Sequence, residues 1–283
     1  MKKGKILKYI AVILLTLILG IGLYFYIGFF GNPISKVLAN HSAEKYMAEN
    51  YPNCYIENVG YNFKDGRYFA NIQKEESIDT NFFVYFDWLG NVTYDAYESY
   101  VTKGHNTVNR MFMEYRALLD EIITPDSVDF TIDILYGDIL TEYYGKDTSI
   151  LPADEITSMP MEEVVVDKQY DYTELGYKYG YVCLYACDED VSVERACEIL
   201  LDVKEKLDKN NIGFKYIDFV LQKPRQADGM LNQDESRVHV NYFNWDDIYE
   251  EGLWERVQTA HDLLTEYYAE MDAQKTAEIM VME

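Results

Sequence analysis

Residues 9–30, YIAVILLTLILGIGLYFYIGFF, decide how the rest of the chain is read, because they carry no charge over 22 positions. As a helix rising 1.5 Å per residue, the stretch is about 33 Å long, enough to cross the hydrocarbon core of a bilayer. Fourteen of its residues are Leu, Ile, Val or Phe. At roughly −0.3 to −0.6 kcal/mol each, they favour insertion by at most about 4 to 8 kcal/mol. The lipid bilayer is therefore the first partner expected, through residues 9–30, with Tyr9, Leu14, Leu15, Leu19, Phe25 and Phe30 among the anchoring side chains.

Lys2, Lys3, Lys5 and Lys8 precede the apolar run with no acidic residue among them. On its far side Lys36 and Lys45 are offset by Glu44 and Glu49. The positive-inside rule then makes residues 1–8 a cytoplasmic basic tail and sends everything beyond the anchor outside the cell. The expected location is the cell membrane, single-pass. A cleaved signal peptide is the rival reading: Val37-Leu38-Ala39 is a tolerable cleavage site, although a signal's apolar region is normally 7 to 15 residues.

Beyond the anchor stand all 49 Asp and Glu against 21 Lys and Arg, a net charge of −28. Such a field repels nucleic acid, which is excluded as a partner, and keeps a surface solvated. The 27 tyrosines suit half-buried strands and contact surfaces equally.

Gly31-Asn32-Pro33 breaks the first helix, and Ser42 is expected to cap a second running to Pro52. Strands follow over 54–63 and 67–73, joined by Lys64-Asp65-Gly66, then over 82–86 and 92–97. Phe82 to Phe86 is apolar on both faces and is expected to be central, with Phe83 and Tyr85 on one face and Phe82, Val84, Phe86 and Trp88 on the other. Helical spacing then covers 104–123. AEKYMAENYPN (43–53), Tyr61 with Lys64 to Tyr68, and FFVYFDWLGNVTYDAY (82–97) resemble the small PepSY-like modules. More specifically, they resemble the N-terminal half of the YfjL-like membrane-anchored proteins of Gram-positive bacteria. The resemblance implies a helix packed on an antiparallel sheet and brings no mechanism with it.

Thr124-Pro125 follows a complete helix and marks the expected internal boundary, giving domains at 34–124 and 125–283. A strand is expected from Val128 to Ile134, a loop over 147–160, a short strand at Val164-Val165-Val166, and a helix or turn over 172–179. Tyr181 to Cys187 then reads as a strand and is followed by a helix capped by Asp190 or Ser192. That helix places Val193, Ala196, Cys197, Leu200, Val203 and Leu207 on one face. Strands over 214–221 and 238–243 precede a last helix from near Leu253, expected to bury Leu253, Val257, Ala260, Leu264, Tyr267 or Tyr268, and Met271. The order argues for an α+β sandwich with its helices on one face of the sheet. YGYVCLYACDEDVSVERACEILLDVKEKL and VHVNYFNWDDI are similar to the C-terminal half of the same YfjL-like proteins. The fold class expected overall is α+β: one transmembrane helix, then two small α+β domains.

No chemistry is assigned. Cys183 and Cys187 lie four apart on a strand, about 13 Å, too far for a disulfide. Cys183 facing Cys197 across the sheet–helix interface is left open. C-x₃-C-x₉-C matches no zinc spacing. The histidines at 41, 105, 239 and 261 are scattered, and neither a nucleophile elbow nor a phosphate-cradling loop is present. Hence no catalytic, cofactor-binding or metal residue is named.

The expected role is non-catalytic binding of an envelope protein or peptide, with Phe83 and Tyr85 as the candidate contact patch. The alternative is an extracytoplasmic hydrolase using two carboxylates held between the domains. A third reading, a structural subunit that matters through its anchor, has only Gly20, Gly22 and Gly28 as packing material.

Overall fold

The computed structural model describes residues 2–143, 156–230 and 232–282. It is α+β and divides into two compact units, Met1–Asn106 and Thr107–Glu283.

In the first unit, α1 (Lys2–Phe30) is long and apolar enough to cross a membrane, and it starts within the lysine-rich tail. Gly31 ends it in the left-handed region, φ 77°. α2 (Pro33–Asn50) begins two residues later. Asn32 caps it by accepting from the Ile34 N–H at 2.9 Å, and Pro33 takes the first helical position, where no N–H is needed. The cap expected at Ser42 is thus corrected: Asn-Pro starts the helix sooner, and Ser42 lies in its middle.

Four antiparallel strands follow in the order β1-β2-β3-β4: β1 (Tyr55–Asn62), β2 (Arg67–Gln73), β3 (Asn81–Phe86) and β4 (Val92–Asp95). α2 packs on β1 and β2 and buries Ser35, Ala39, Ala43 and Met47, which recur every fourth residue. The sheet's matching face is Tyr68, Ala70, Ile72, Phe82, Val84 and Phe86. Trp88 does not join them. It lies in the Asp87–Asn91 turn, outside the strand alternation, and is 67% exposed. A π-helical turn, Glu98–Thr102, closes the sheet.

The junction between α1 and α2 is pinned to this sheet. The Tyr68 hydroxyl donates to the Asn32 carbonyl at 3.1 Å and accepts from the Asn32 N–H. A Cβ on Gly31 would meet the Tyr61 ring at 2.8 Å and the Tyr68 hydroxyl at 2.9 Å, so the close approach requires glycine.

The second unit holds α3 (His105–Ile122), whose first two residues belong to the first unit, β5 (Thr131–Ile139), α4 (Tyr172–Tyr179) and β6 (Gly180–Cys187). α5 (Val193–Lys209), β7 (Tyr216–Gln222), β8 (Arg237–Asn244) and α6 (Leu253–Met282) complete it. The sheet order is β5-β6-β7-β8; β6 and β7 are parallel, as the α5 crossover requires, and the other pairs are antiparallel. Val182, Leu184, Ile217 and Phe219 share one core with Met111, Tyr115 and Leu119 of α3 and with Ala196, Leu200 and Val203 of α5.

Several expectations change here. α3 belongs to the second core, so the chain divides near residue 106 and not at Thr124-Pro125; the proline ends a helix without ending a domain. The match is specific at Gly137, where a Cβ would lie 2.2 Å from Leu119 and 2.9 Å from the Tyr115 ring. β5 starts at Thr131 rather than Val128 and runs on to Ile139. Val164-Val165-Val166 is not a strand: Val164 and Lys168 donate to the carbonyls three residues back, and the chain turns through Asp167 at φ 63°. Of the loop expected at 147–160, residues 147–155 lie outside the described residues. Ser192, and not Asp190, caps α5, accepting from the Arg195 N–H at 3.2 Å. Among the described side chains of α6, Leu253, Val257 and Leu264 are buried, Ala260, Tyr267 and Met271 are only partly covered, and Tyr268 is exposed.

Candidate functional site

Each sheet has one face buried in its core and a second face carrying polar and aromatic groups. On the first sheet the second face holds Phe83 and Tyr85, the two residues expected to form a contact patch. Phe83 and Tyr85 are half-buried, on the side of β3 away from α2. Register sets Tyr85 between Phe69 of β2 and Tyr94 of β4. Ring centroids are 5.6 Å apart for Phe69–Phe83, 6.2 Å for Phe83–Tyr85, 6.0 Å for Tyr85–Tyr94 and 6.3 Å for Phe83–Tyr100. Gly60 of β1 lies beneath Phe69, where a Cβ would come within 2.4 Å of the ring. The result is a continuous aromatic surface bordered by Tyr94, 46% exposed. Burial raises the Tyr85 phenol, so the ring contributes a neutral donor throughout the physiological range.

On the second sheet the outer face was not foreseen. Tyr136 and Asp138 of β5 stand opposite Cys183 and Tyr181 of β6. In β8 the pair Asn241-Tyr242 opposes the single residue Asp218, a bulge that holds Tyr242 at φ 47°. The Tyr242 N–H donates to Asp218 Oδ1 at 2.7 Å, and the Tyr181 hydroxyl bonds the same carboxylate. Tyr136, Tyr181, Tyr242 and Tyr216 form a ring chain with spacings of 6.2, 5.6 and 5.7 Å. Burial, and then the Asp218 charge, push the Tyr181 phenol far above its ordinary range. Burial also raises Asp138 from 3.8 to about 6, and its Oδ1 has no hydrogen-bond partner among the described residues.

α6 flanks this face along β8. The His239 N–H donates to His261 Nδ1 at 3.3 Å, and His239 Nε2 lies 3.2 Å from Thr265 Oγ1. Burial first, then His261 and Arg237, pull His239 down to about 4, which keeps it neutral. A cleft of about 290 Å³ opens between Asp218, His239 and Tyr268.

Cys183 lies on this outer face, whereas Cys197 belongs to the core beneath α5, so the disulfide left open by the sequence cannot form. All four cysteines are free. Among the described residues no cluster of three or more His, Cys, Asp or Glu side chains is placed to hold a metal ion. The anchor residues Tyr9, Leu14, Leu15, Leu19, Phe25 and Phe30 are all exposed, 54 to 70%.

The YfjL-like N-terminal domain matches residues 6–96, and the YfjL-like C-terminal domain matches residues 114–258. No curated protein matches the chain significantly. A crystal structure of a DUF5037 family protein from Ruminococcus gnavus is 12% identical and covers 77% of this chain and 98% of its own. Its TM-score is 0.22, too low to carry an argument.

Proposed function

We propose that this chain, which belongs to the YfjL-like family, is a membrane-anchored, non-catalytic binding module of the cell envelope. In this reading α1 crosses the membrane with its lysines inside, and both sheet units stand outside. The supporting observation is the half-buried aromatic surface of Phe69, Phe83, Tyr85, Tyr94 and Tyr100 on the side of the first sheet away from α2. Rigid rings with polar tips give large contact area at low conformational entropy, the composition of recognition surfaces. The partner is a protein or peptide of the envelope.

Tyr85→Ser in the full chain tests this. Ring contacts at a half-exposed strand position are worth about 1 kcal/mol or less, so the melting temperature is expected to shift by only a few degrees. Capture of partners by cross-linking in intact cells is expected to fall sharply. A steep loss of stability would return Tyr85 to a packing role and remove this surface from the reading.

A further inference from the structure

We infer that the edge of β1 is a second binding surface, which takes an extended, basic polypeptide segment as a fifth strand of the first sheet. This surface is separate from the Tyr85 patch, so either can fail while the other stands.

β1 is an eight-residue edge strand, paired only with β2. Among the described residues, no backbone group outside β2 bonds to Tyr55–Tyr61. Of the other three edges, β4 has only four residues and β8 gives its His239 N–H to His261 of the flanking α6, while β5, also paired on one side only, holds its bulge residue Asp133 in an ion pair with Arg225. An edge of eight residues, about 26 Å, with free donors and acceptors is a template for an added strand.

The groove beside this edge has room for side chains. Two cavities of about 440 and 550 Å³ lie along it, between α2 and β1. Ile56 and Val59 face the α2 side, because each pairs with a core residue of β2, Ile72 and Ala70. At the end near the anchor the groove is mostly apolar, formed by Pro33, Val37 and Val59 together with Lys36, Asn40 and His41, and Val37 is 69% exposed. At the far end Glu44 and Glu57 line it. Every second side chain of an added strand would enter the groove.

Charge selects the occupant. Glu57 is the only charged residue of β1 and sits at a bulge, the extra residue between Ile56 and Asn58. Its carboxylate accepts from Gln73 Nε2 at 2.9 Å and from the Asn71 amide, neutral partners that leave its charge in place. Held by Asn71 and Gln73 on the face away from α2, it favours basic side chains on that face of an added strand, as Glu44 does within the groove. A second copy of this chain would bring two Glu57 residues to one junction, within a body of net charge −28, which opposes self-pairing.

The test uses the full chain in phosphatidylcholine nanodiscs and an acetylated, amidated heptapeptide of alternating Lys and Val. Its control is the same peptide N-methylated at every amide, which keeps the charge and removes the donors. The expected result is affinity at least tenfold tighter for the unmethylated peptide, with hydrogen-exchange protection gained by β1 amides. Glu57→Lys, at an exposed position, should weaken that peptide about tenfold and improve binding of a Glu/Val counterpart. Equal binding of methylated and unmethylated peptides would reduce the effect to bulk charge and overturn the proposal. Protection of β1 in the nanodisc before any peptide is added would also overturn it: dependence on protein concentration would identify a second copy, and its absence the bilayer.

Discussion

Replacing Asp138 by Asn is expected to stabilise the second unit at pH 7 and to destabilise it slightly at pH 4, where the amide's unmet hydrogen bonds stand almost alone. The carboxyl is buried, with one oxygen unpaired, and holds its proton up to about pH 6 instead of 3.8. Below 3.8 it is protonated in both the folded and unfolded chain and makes no difference. Between these values the unfolded chain is ionised while the folded one keeps its proton, so stability falls as pH rises. Above 6 the full penalty stands. A gap of about two units corresponds to a ceiling of about 3 kcal/mol, and the amide's own unmet hydrogen bonds reduce the expected gain to about 1–2 kcal/mol.

His239 works in the opposite direction. Its folded value is lowered from 6.5 to about 4, so the unfolded chain takes up a proton that the folded chain refuses. Its contribution is present above 6.5 and is lost as pH falls towards 4. The two slopes oppose one another over nearly the same range, and the unmodified protein should therefore show a shallow pH dependence. Asp138→Asn should uncover a stability that rises steadily from pH 4 to 6.5. Urea unfolding of the detergent-solubilised chain, followed by Trp245 fluorescence, measures this, because Trp245 is 8% exposed whereas Trp88 and Trp254 are 67% and 43% exposed. An equal effect of the substitution at pH 4 and pH 7 would refute burial as the cause.

Other outcomes test the frame around this. Protease added to intact protoplasts should remove a tag at Glu283 and spare one at Met1; a protected C-terminal tag would reverse the proposed orientation. Cys197→Ala should cost about 1–2 kcal/mol by lost packing in urea titrations, identically with and without reductant, because the thiol is free within the core. Gly137→Ala should cost about 1–3 kcal/mol, since the new methyl meets Leu119 and Tyr115, and Leu119→Ala in the same chain should recover part of that loss.

Periodicity revealed some of this fold and concealed the rest for physical reasons. The buried face of α5 was readable because Val193, Ala196, Cys197, Leu200, Val203 and Leu207 follow a 3.6-residue repeat behind a serine cap, and all are buried. The allegiance of α3 was not, because an amphipathic helix shows that it has an apolar face but not which sheet covers it. Gly137, the gap that admits Tyr115 and Leu119, carries no side chain to announce it. Bulges hid the outer face of the second sheet. Asp133 is an extra residue in β5, so the alternation read from Val128 to Ile134 crosses a change of phase and misses Tyr136 and Asp138. The signal that remained was the two-residue spacing of Tyr181, Cys183 and Tyr185, masked by the apolar residues between them. The Phe83 and Tyr85 face was legible because β3 pairs without interruption to β2.

The pinned junction at Gly31 and Asn32 bears on reach. A flexible tether of thirty residues would let a domain roam about 30 Å from its anchor, sampling a hemisphere above the membrane. Here two residues separate the helices, and Tyr68 holds both backbone groups of Asn32. With α1 in a bilayer, the first sheet cannot wander from the point where the helix emerges. Its search becomes two-dimensional, carried by lateral diffusion of the whole molecule. The ligands it meets are then those confined to, or delivered into, the thin layer beside the lipid surface.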